Sequence, residues 1–225
     1  MSIIVLDICR KGYTSQEYSN CGGIDFVNKN TQNKPTKMIF ISLYPDVKIE
    51  ADKNYAKNIL IQKINSLKNA KYIVIACHTL SSCILDLLLK NNDLLNETKV
   101  FEPIIPMCFH IQKKKYKNIL ILSTPLTARI RWHARILTSK VKYITFDALP
   151  THIDHNNVSS IHKDLERLSA HQNFLKTCDC VVLGCTHFNV IKKTISKYLH
   201  QNNFTGKILD SNLILHNYLK TKNLL

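Results

Sequence analysis

At 225 residues, 45% hydrophobic and 21% charged, with 5 Gly and 6 Pro, the chain has the composition of an ordinary globular protein, neither disordered nor fibrous. Its net charge of +15 favours anionic partners, but lysines run along the whole chain and cluster only at Lys34 to Lys37 and Lys113-Lys114-Lys115-Tyr116-Lys117; nothing resembles a zinc finger, a helix-turn-helix or an arginine-rich helix, so nucleic acid is a possible but not a favoured partner. No apolar run approaches the roughly 18 residues of a membrane span, and Met1-Ser2-Ile3-Ile4-Val5-Leu6-Asp7 reads as a strand rather than a secretion signal, which predicts a cytoplasmic protein.

In chain order, Ile3 to Leu6 predicts a short strand that delivers Asp7 at its carboxyl end. Ile8 to Lys37, polar and containing Cys21-Gly22-Gly23 and Pro35, predicts a long loop of the kind that serves function. Met38 to Ser42 is a second strand, ended by the turn signal Tyr44-Pro45-Asp46. From Asp52, apolar residues at Tyr55, Ile59, Leu60, Ile64 and Leu67 fall at helical spacing. Tyr72 to Ala76 is a strand that runs into Cys77 and a helix through Ile84 to Leu89; Val100-Phe101 is a weaker strand, broken by Pro103 and Pro106. Asn118 to Ser123 is a near-continuous apolar strand ending at Thr124-Pro125, where a helix starts, and Ala128 to Leu137 is a basic helix. Val141 to Phe146 alternates like a strand, Pro150 to Asn157 is a histidine-rich loop, and Val158 to Leu168 a polar helix. Cys180 to Gly184 is a buried strand, followed by a helix through Phe188, Ile191, Ile195, Tyr198 and Leu199, a last strand at Lys207 to Leu209, and a closing helix at Leu213 to Leu219 capped from Asp210-Ser211-Asn212.

Strand, helix, strand in repetition predicts an α/β fold with parallel sheets covered on both faces. The expected arrangement is two similar doubly wound α/β domains, residues 1–103 and 104–210, with an active site in the cleft between them and the segment 211–225 packing back on the first. Ligands in such sheets gather beyond the carboxyl ends of the strands, where Asp7, Cys77, Ser123, Thr124 and Cys185 fall.

Two of these stretches match each other. Tyr72-Ile73-Val74-Ile75-Ala76-Cys77-His78-Thr79 and Cys180-Val181-Val182-Leu183-Gly184-Cys185-Thr186-His187-Phe188 both run from a buried strand through a small residue to a cysteine and a helix start. The other cysteines (Cys9, Cys21, Cys83, Cys108, Cys178 and Cys180) show no paired spacing of a zinc site or a disulfide framework, and no metal is expected. Two opposed thiols, one as thiolate base and one as acid, can invert a stereocentre by proton transfer on opposite faces of a carbon, without metal, pyridoxal or nucleotide.

Ala76-Cys77-His78-Thr79 and Gly184-Cys185-Thr186-His187-Phe188 resemble the two signature motifs of the cofactor-independent glutamate racemases, A-C-N-T and G-C-T-H-Y/F, within the aspartate/glutamate racemase superfamily. Thr124-x-x-Thr127 resembles the family's G-T-x-x-T segment, Leu209-Asp210-Ser211 its closing I-D-S-G, and Asp7 stands where its D-S-G begins. A histidine after the second cysteine marks the glutamate branch. The resemblance implies interconversion of L- and D-glutamate for peptidoglycan, with Cys77 and Cys185 as the acid/base pair, Asp7 and His187 assisting proton movement, and His78, Thr79, Thr124 and Thr186 holding substrate. It also implies a homodimer and no cofactor. His152, Asp154 and His155 lie in the loop where the family carries an acidic helper, but that loop does not align and none of the three is assigned.

The chain departs from the family where substrate is held. Asp7-Ile8-Cys9 replaces D-S-G, Pro45-Asp46-Val47 falls where the family has P-Y-G, and His78 replaces an asparagine. A protonated His78 can hold a carboxylate better than a neutral one. Two other readings stay open at this point: the same two-thiol chemistry on aspartate, a hydantoin or maleate, and a racemase-derived binding protein using its basic surface.

Overall fold

Apolar strands without alternation need cover on both faces, and here they receive it from helices. The computed structural model describes residues 2–8, 37–43, 52–67, 70–90 and 99–225. The predicted loop at 8–37, apart from its strand-end residues, and the turn Tyr44-Pro45-Asp46 lie outside the described residues, as do Cys9 and Val47. Among the described residues the strands form two four-stranded sheets, and every pairing is parallel. The first holds β1 (Ser2–Ile8), β2 (Lys37–Leu43), β3 (Tyr72–Ile75) and β4 (Lys99–Phe101) in the order β2-β1-β3-β4. The second holds β5 (Asn118–Ser123), β6 (Lys140–Thr145), β7 (Cys180–Gly184) and β8 (Lys207–Asp210) in the matching order β6-β5-β7-β8. β3 and β7 therefore occupy the same lane of their sheets, and each delivers its cysteine beside the end of the strand that opens its half.

On the first sheet, α1 (Lys53–Ser66) is capped by Asp52, whose carboxylate accepts from the amides of Asn54 and Tyr55, and it buries Ala56, Leu60 and Ile64. α2 (His78–Leu89) is buried along its whole first two turns, from His78 to Leu85. Its Leu80, Cys83 and Ile84 pack with first-sheet residues, whereas Leu85 packs with Ile119, Ile121 and Val182 of the second sheet. This helix is thus shared by both halves. The closing helix α11 (Ser211–Thr221) leaves the second sheet at β8 and packs Leu215 and Leu219 against Ile3, Val5, Val74 and Ala76 of the first sheet.

The structure corrects several expectations. α3 (Ile104–Lys114) follows β4 where the prolines read as breaks. Its apolar residues Ile104, Met107, Cys108 and Ile111 have helical spacing, and Pro106 sits in the first turn, where its missing amide hydrogen costs no helical bond. Glu102 anchors that turn by accepting from the amides of Ile104 (2.6 Å) and Ile105 (2.8 Å). The basic helix expected over 128–137 is two short helices, α4 (Pro125–Ile130) and α5 (Trp132–Ile136), because Arg131 adopts the left-handed conformation (φ 63°) and turns the chain between them. The expected loop at 150–157 contains α6 (Leu149–Asp154), followed by α7 (Val158–Glu166), a 3-10 turn (Arg167–His171) and α8 (Gln172–Leu175). The single helix expected after Cys185 is also two, α9 (Thr186–Val190) and α10 (Lys192–Gln201). No helix among the described residues is long and apolar enough to cross a membrane.

Gly184 is demanded by space. A Cβ there would lie 2.8 Å from the carbonyl oxygen of Leu122 and 3.0 Å from Cγ2 of Ile121, so β5 and β7 approach at this point more closely than a side chain permits. Gly184→Ala should therefore destabilise the protein by roughly 1–3 kcal/mol through overpacking, read as a lowered urea midpoint. A second prediction concerns Glu102, whose buried carboxyl is pushed up to about 7 by desolvation against the pull of two amide donors. A folded value above the unfolded one means a contribution that is fully present below about pH 4.5 and lost as pH rises through about 7. Glu102→Gln should remove this dependence, so that its stability relative to the unaltered protein rises between pH 5 and pH 8, by up to about 3 kcal/mol at 1.36 kcal/mol per pH unit.

Candidate active site between the two sheets

Cys77 and Cys185 occupy the cap position of the helix that follows their strand, α2 and α9 respectively, both with extended backbone (φ −75° and −151°). Each is 7% exposed. Burial pushes the Cys77 thiol well above its ordinary value, the Asp7 carboxylate adds to the shift, and Cys185 raises it further. The two sulfurs thus lie close enough for charge on one to disfavour charge on the other. Both are free thiols, as are Cys83, Cys108, Cys178 and Cys180.

Behind Cys185 stands a charged relay. Its Sγ lies 3.7 Å from Nδ1 of His187, and Nε2 of His187 lies 3.0 Å from Oδ1 of Asp154. Burial alone would lower the histidine's pKa; Asp154 on one ring nitrogen and the Cys185 sulfur on the other reverse this and raise it well above its ordinary value. Asp154, on the last turn of α6, is the residue that the sequence left unassigned. Its neighbour His152 is spoken for elsewhere, with Nδ1 at 2.8 Å from Asp164. The signal that could have found Asp154 is the apolar pattern Leu149, Pro150 and Ile153, which folds this stretch into a helix and buries its last carboxylate.

Beside Cys77 stands Asp7, fully buried at the end of β1. Its Oδ1 accepts from the amide of Ile8 at 2.8 Å, and its Oδ2 has no hydrogen-bond partner among the described residues. Desolvation raises its pKa; the charge of His187, the Ile8 amide, and the side chains of Thr186 and Cys77 pull it back. Asp7 thereby senses residues from both halves. Thr186, next to Cys185, is buried, and its side chain faces Asp7.

Three hydroxyls close the space from another side. Thr79 Oγ1 lies 2.8 Å from Thr124 Oγ1 and 3.3 Å from Thr127 Oγ1, and those two lie 3.1 Å apart. Thr79 comes from α2, while Thr124 and Thr127 come from the start of α4, so the triad ties the two halves together. Ser211 is structural: it donates to the Leu183 carbonyl at 2.8 Å and accepts from Asn189 at 3.1 Å. His78 is wholly buried and stacks on His133 of α5, with ring centres 5.7 Å apart and planes 16° from parallel. Burial, and then the His133 charge, push its pKa well below the ordinary histidine value, so its ring is neutral at pH 7. No group of three or more histidine, cysteine or acidic side chains suited to a metal ion occurs among the described residues.

The arrangement therefore offers two buried thiols, one flanked by a carboxyl and the other by a histidine-carboxylate pair, with a cluster of threonine hydroxyls on the helices that follow β3 and β5. No protein-family model matches the chain. Sequence comparison finds a glutamate racemase from Aquifex pyrophilus, 27% identical over 157 residues, which are 68% of this chain and 60% of that relative. Among solved structures, a glutamate racemase isoform from Bacillus anthracis superposes with a TM-score of 0.75 at 19% identity, covering 100% of this chain and 83% of that one. An aspartate racemase from Picrophilus torridus follows at a TM-score of 0.67 and 17% identity, covering 99% and 94%. In sequence the chain is similar to glutamate racemases over about two thirds of its length, and its fold is that of the glutamate and aspartate racemase structures.

Proposed function

We propose that this protein is an amino-acid racemase that interconverts L- and D-glutamate by two-base proton transfer between Cys77 and Cys185. One observation carries the reading: the two thiols end the same lane of two matched sheets, equally buried, and near enough for charge on Cys185 to bear on Cys77. On this reading residues 1–103 and 104–210 are the two units that present one thiol each, and substrate lies between them. Glutamate is favoured over other small acids because the curated relatives are named glutamate racemases.

In the proposed reaction one thiol, as thiolate, removes the Cα proton and the other delivers a proton to the opposite face. Burial and the adjacent Asp7 keep Cys77 protonated in the resting site, which makes it the first donor. His187, held charged by Asp154, sits where it can stabilise an anionic Cys185 sulfur and exchange a proton with it across 3.7 Å. Asp7, whose own charge disfavours a Cys77 anion, is the neighbour with which that thiol exchanges its proton. The hydroxyls of Thr79, Thr124 and Thr186 are the proposed grip on the substrate's carboxylate or ammonium group. The neutral, stacked ring of His78 has no positive charge to offer a carboxylate at pH 7, so the departure from asparagine at this place shifts that work to the hydroxyls. No cofactor takes part in this scheme. The resemblance extends the proposal to a cytoplasmic homodimer that supplies D-glutamate for peptidoglycan.

Incubation with L-glutamate in deuterated water should place solvent deuterium at Cα and yield D-glutamate; no exchange with glutamate, aspartate or any other small acidic amino acid would defeat the reading. Cys77→Ala and Cys185→Ala should each lower racemisation at least ~10² to 10⁴-fold with the circular dichroism spectrum unchanged. Asp154→Asn should lower kcat/KM for both enantiomers by the same factor, because mirror-image substrates have equal free energy and the two directions are bound by that equality.

A further inference from the structure

The His78–His133 contact is the feature that the proposed reaction does not use. Arg131 turns the chain out of α4 in a left-handed conformation and so lays the next two residues on α2. Trp132 donates its indole N–H to the Ser82 carbonyl at 2.9 Å, and His133 stacks on His78, one residue beyond Cys77. Both imidazoles are 0% exposed. None of their four ring nitrogens has a hydrogen-bond partner among the described residues, and neither has the hydroxyl of Ser82. A neutral imidazole always carries one N–H, so two buried donors stand unsatisfied, a cost of about 1–3 kcal/mol each. An apolar pair such as leucine and phenylalanine would fill this space without it. What histidines add is the ability to take up protons.

We propose that the His78–His133 stack is a proton-sensitive clamp: with both rings neutral it holds the start of α2, and Cys77 with it, against the second half, and protonation of the rings releases that hold. The groups packed around it make the clamp respond to protons alone. Tyr143 of β6 meets His133 edge-on, with ring centres 6.2 Å apart, and burial raises its phenol to about 12. Cys108 of α3, near Tyr143, is likewise raised to about 12. Arg131 lies over the Tyr143 ring and Arg135 over Trp132, adding positive charge to the outer side. Among the described residues the only charge bearing on His78 is that of His133, and burial alone lowers His133, to about 4. Among the described residues no carboxylate compensates either ring once it is charged.

The sign follows from these directions. In the opened state the rings regain a value near 6.5, while in the closed state they sit below it. The clamp's contribution is therefore complete above about pH 6.5 and lost as pH falls towards about 4. The clamp rests on the two-thiol reading only for its consequence, the loss of opposition between Cys77 and Cys185. Its test uses no substrate, so a protein that racemised nothing would leave it equally open to refutation.

Amide hydrogen exchange across residues 78–85, corrected for the intrinsic rate and followed from pH 7 to pH 4.5, reads the opening. Two rings taking up protons raise the opening constant by as much as about a hundredfold per pH unit, one ring by at most about tenfold. In His133→Phe, which keeps the stack but cannot be protonated, the slope should be shallower than in the unaltered chain by up to about tenfold per pH unit; other titrating groups enter both slopes alike. Equal slopes overturn the clamp. Should His133→Phe fail to fold, imidazole ring-proton NMR of the unaltered chain decides: of its ten histidines, two should keep the shifts of neutral rings from pH 7 to pH 5, distinct from His187, which stays charged across that range, and the absence of two such neutral rings overturns the proposal.

Discussion

Charge that cannot be placed twice governs this molecule. Asp7, Cys77 and Cys185 are all buried, and the first and last both bear on the charge of Cys77, so desolvation penalises every anion and one anion penalises the next. The pull on Asp7 from His187 and the push on Cys77 from Asp7 and Cys185 are two sides of the same constraint. A pocket so built holds its negative charge where a cation faces it. Among the described residues that cation is His187, kept charged by Asp154 against the cost of its own burial. The asymmetry required for one thiol to give while the other takes is thus present before any substrate arrives.

The second dependence is on α2. Each sheet has a core of its own, around Leu120, Leu122, Val181 and Leu183 in one half and around Leu6, Ile73 and Ile75 in the other. α2 is buried against the first sheet and, through Leu85, against the Ile119, Ile121 and Val182 face of the second, and it carries Cys77 at its cap, His78 and Thr79 in its first turn, and Ser82 one turn later. Through Thr79 it meets Thr124 and Thr127, through Ser82 it meets Trp132, and through His78 it meets His133. Every one of these ties reaches the segment 124–133, where the left-handed Arg131 sets the chain's direction. The closing helix adds a tie of another kind, apolar packing of Leu215 and Leu219 across the first sheet. The distance between the thiols is held by these ties rather than by either sheet alone.

The strands and the thiol positions could be read before any coordinates, since an apolar run of strand length ending at Ala76-Cys77 or Gly184-Cys185 needs only local pattern. The helix breaks could not. Arg131 and Ile191 interrupt runs whose spacing is compatible with continuous helices, and only the packing of each run against different neighbours decides where it turns. Ile104–Lys114 was hidden for the converse reason: prolines that end most helices are harmless in a first turn, and the cap that completes it comes from Glu102, outside the helix.

The site divides along the same line. Sequence by itself determined the two parallel β-cysteine-helix units, the placement of Asp7 at a strand end and the proximity of His187 to Cys185, because all of these follow from residues a few positions apart on one element. Only tertiary structure decided that Asp154 backs His187, that Thr79 meets Thr124 and Thr127, and that His78 stacks on His133. Such contacts join distant segments, and whether a side chain there is charged, neutral or paired depends on how much water its neighbours exclude, a property that no stretch of sequence contains.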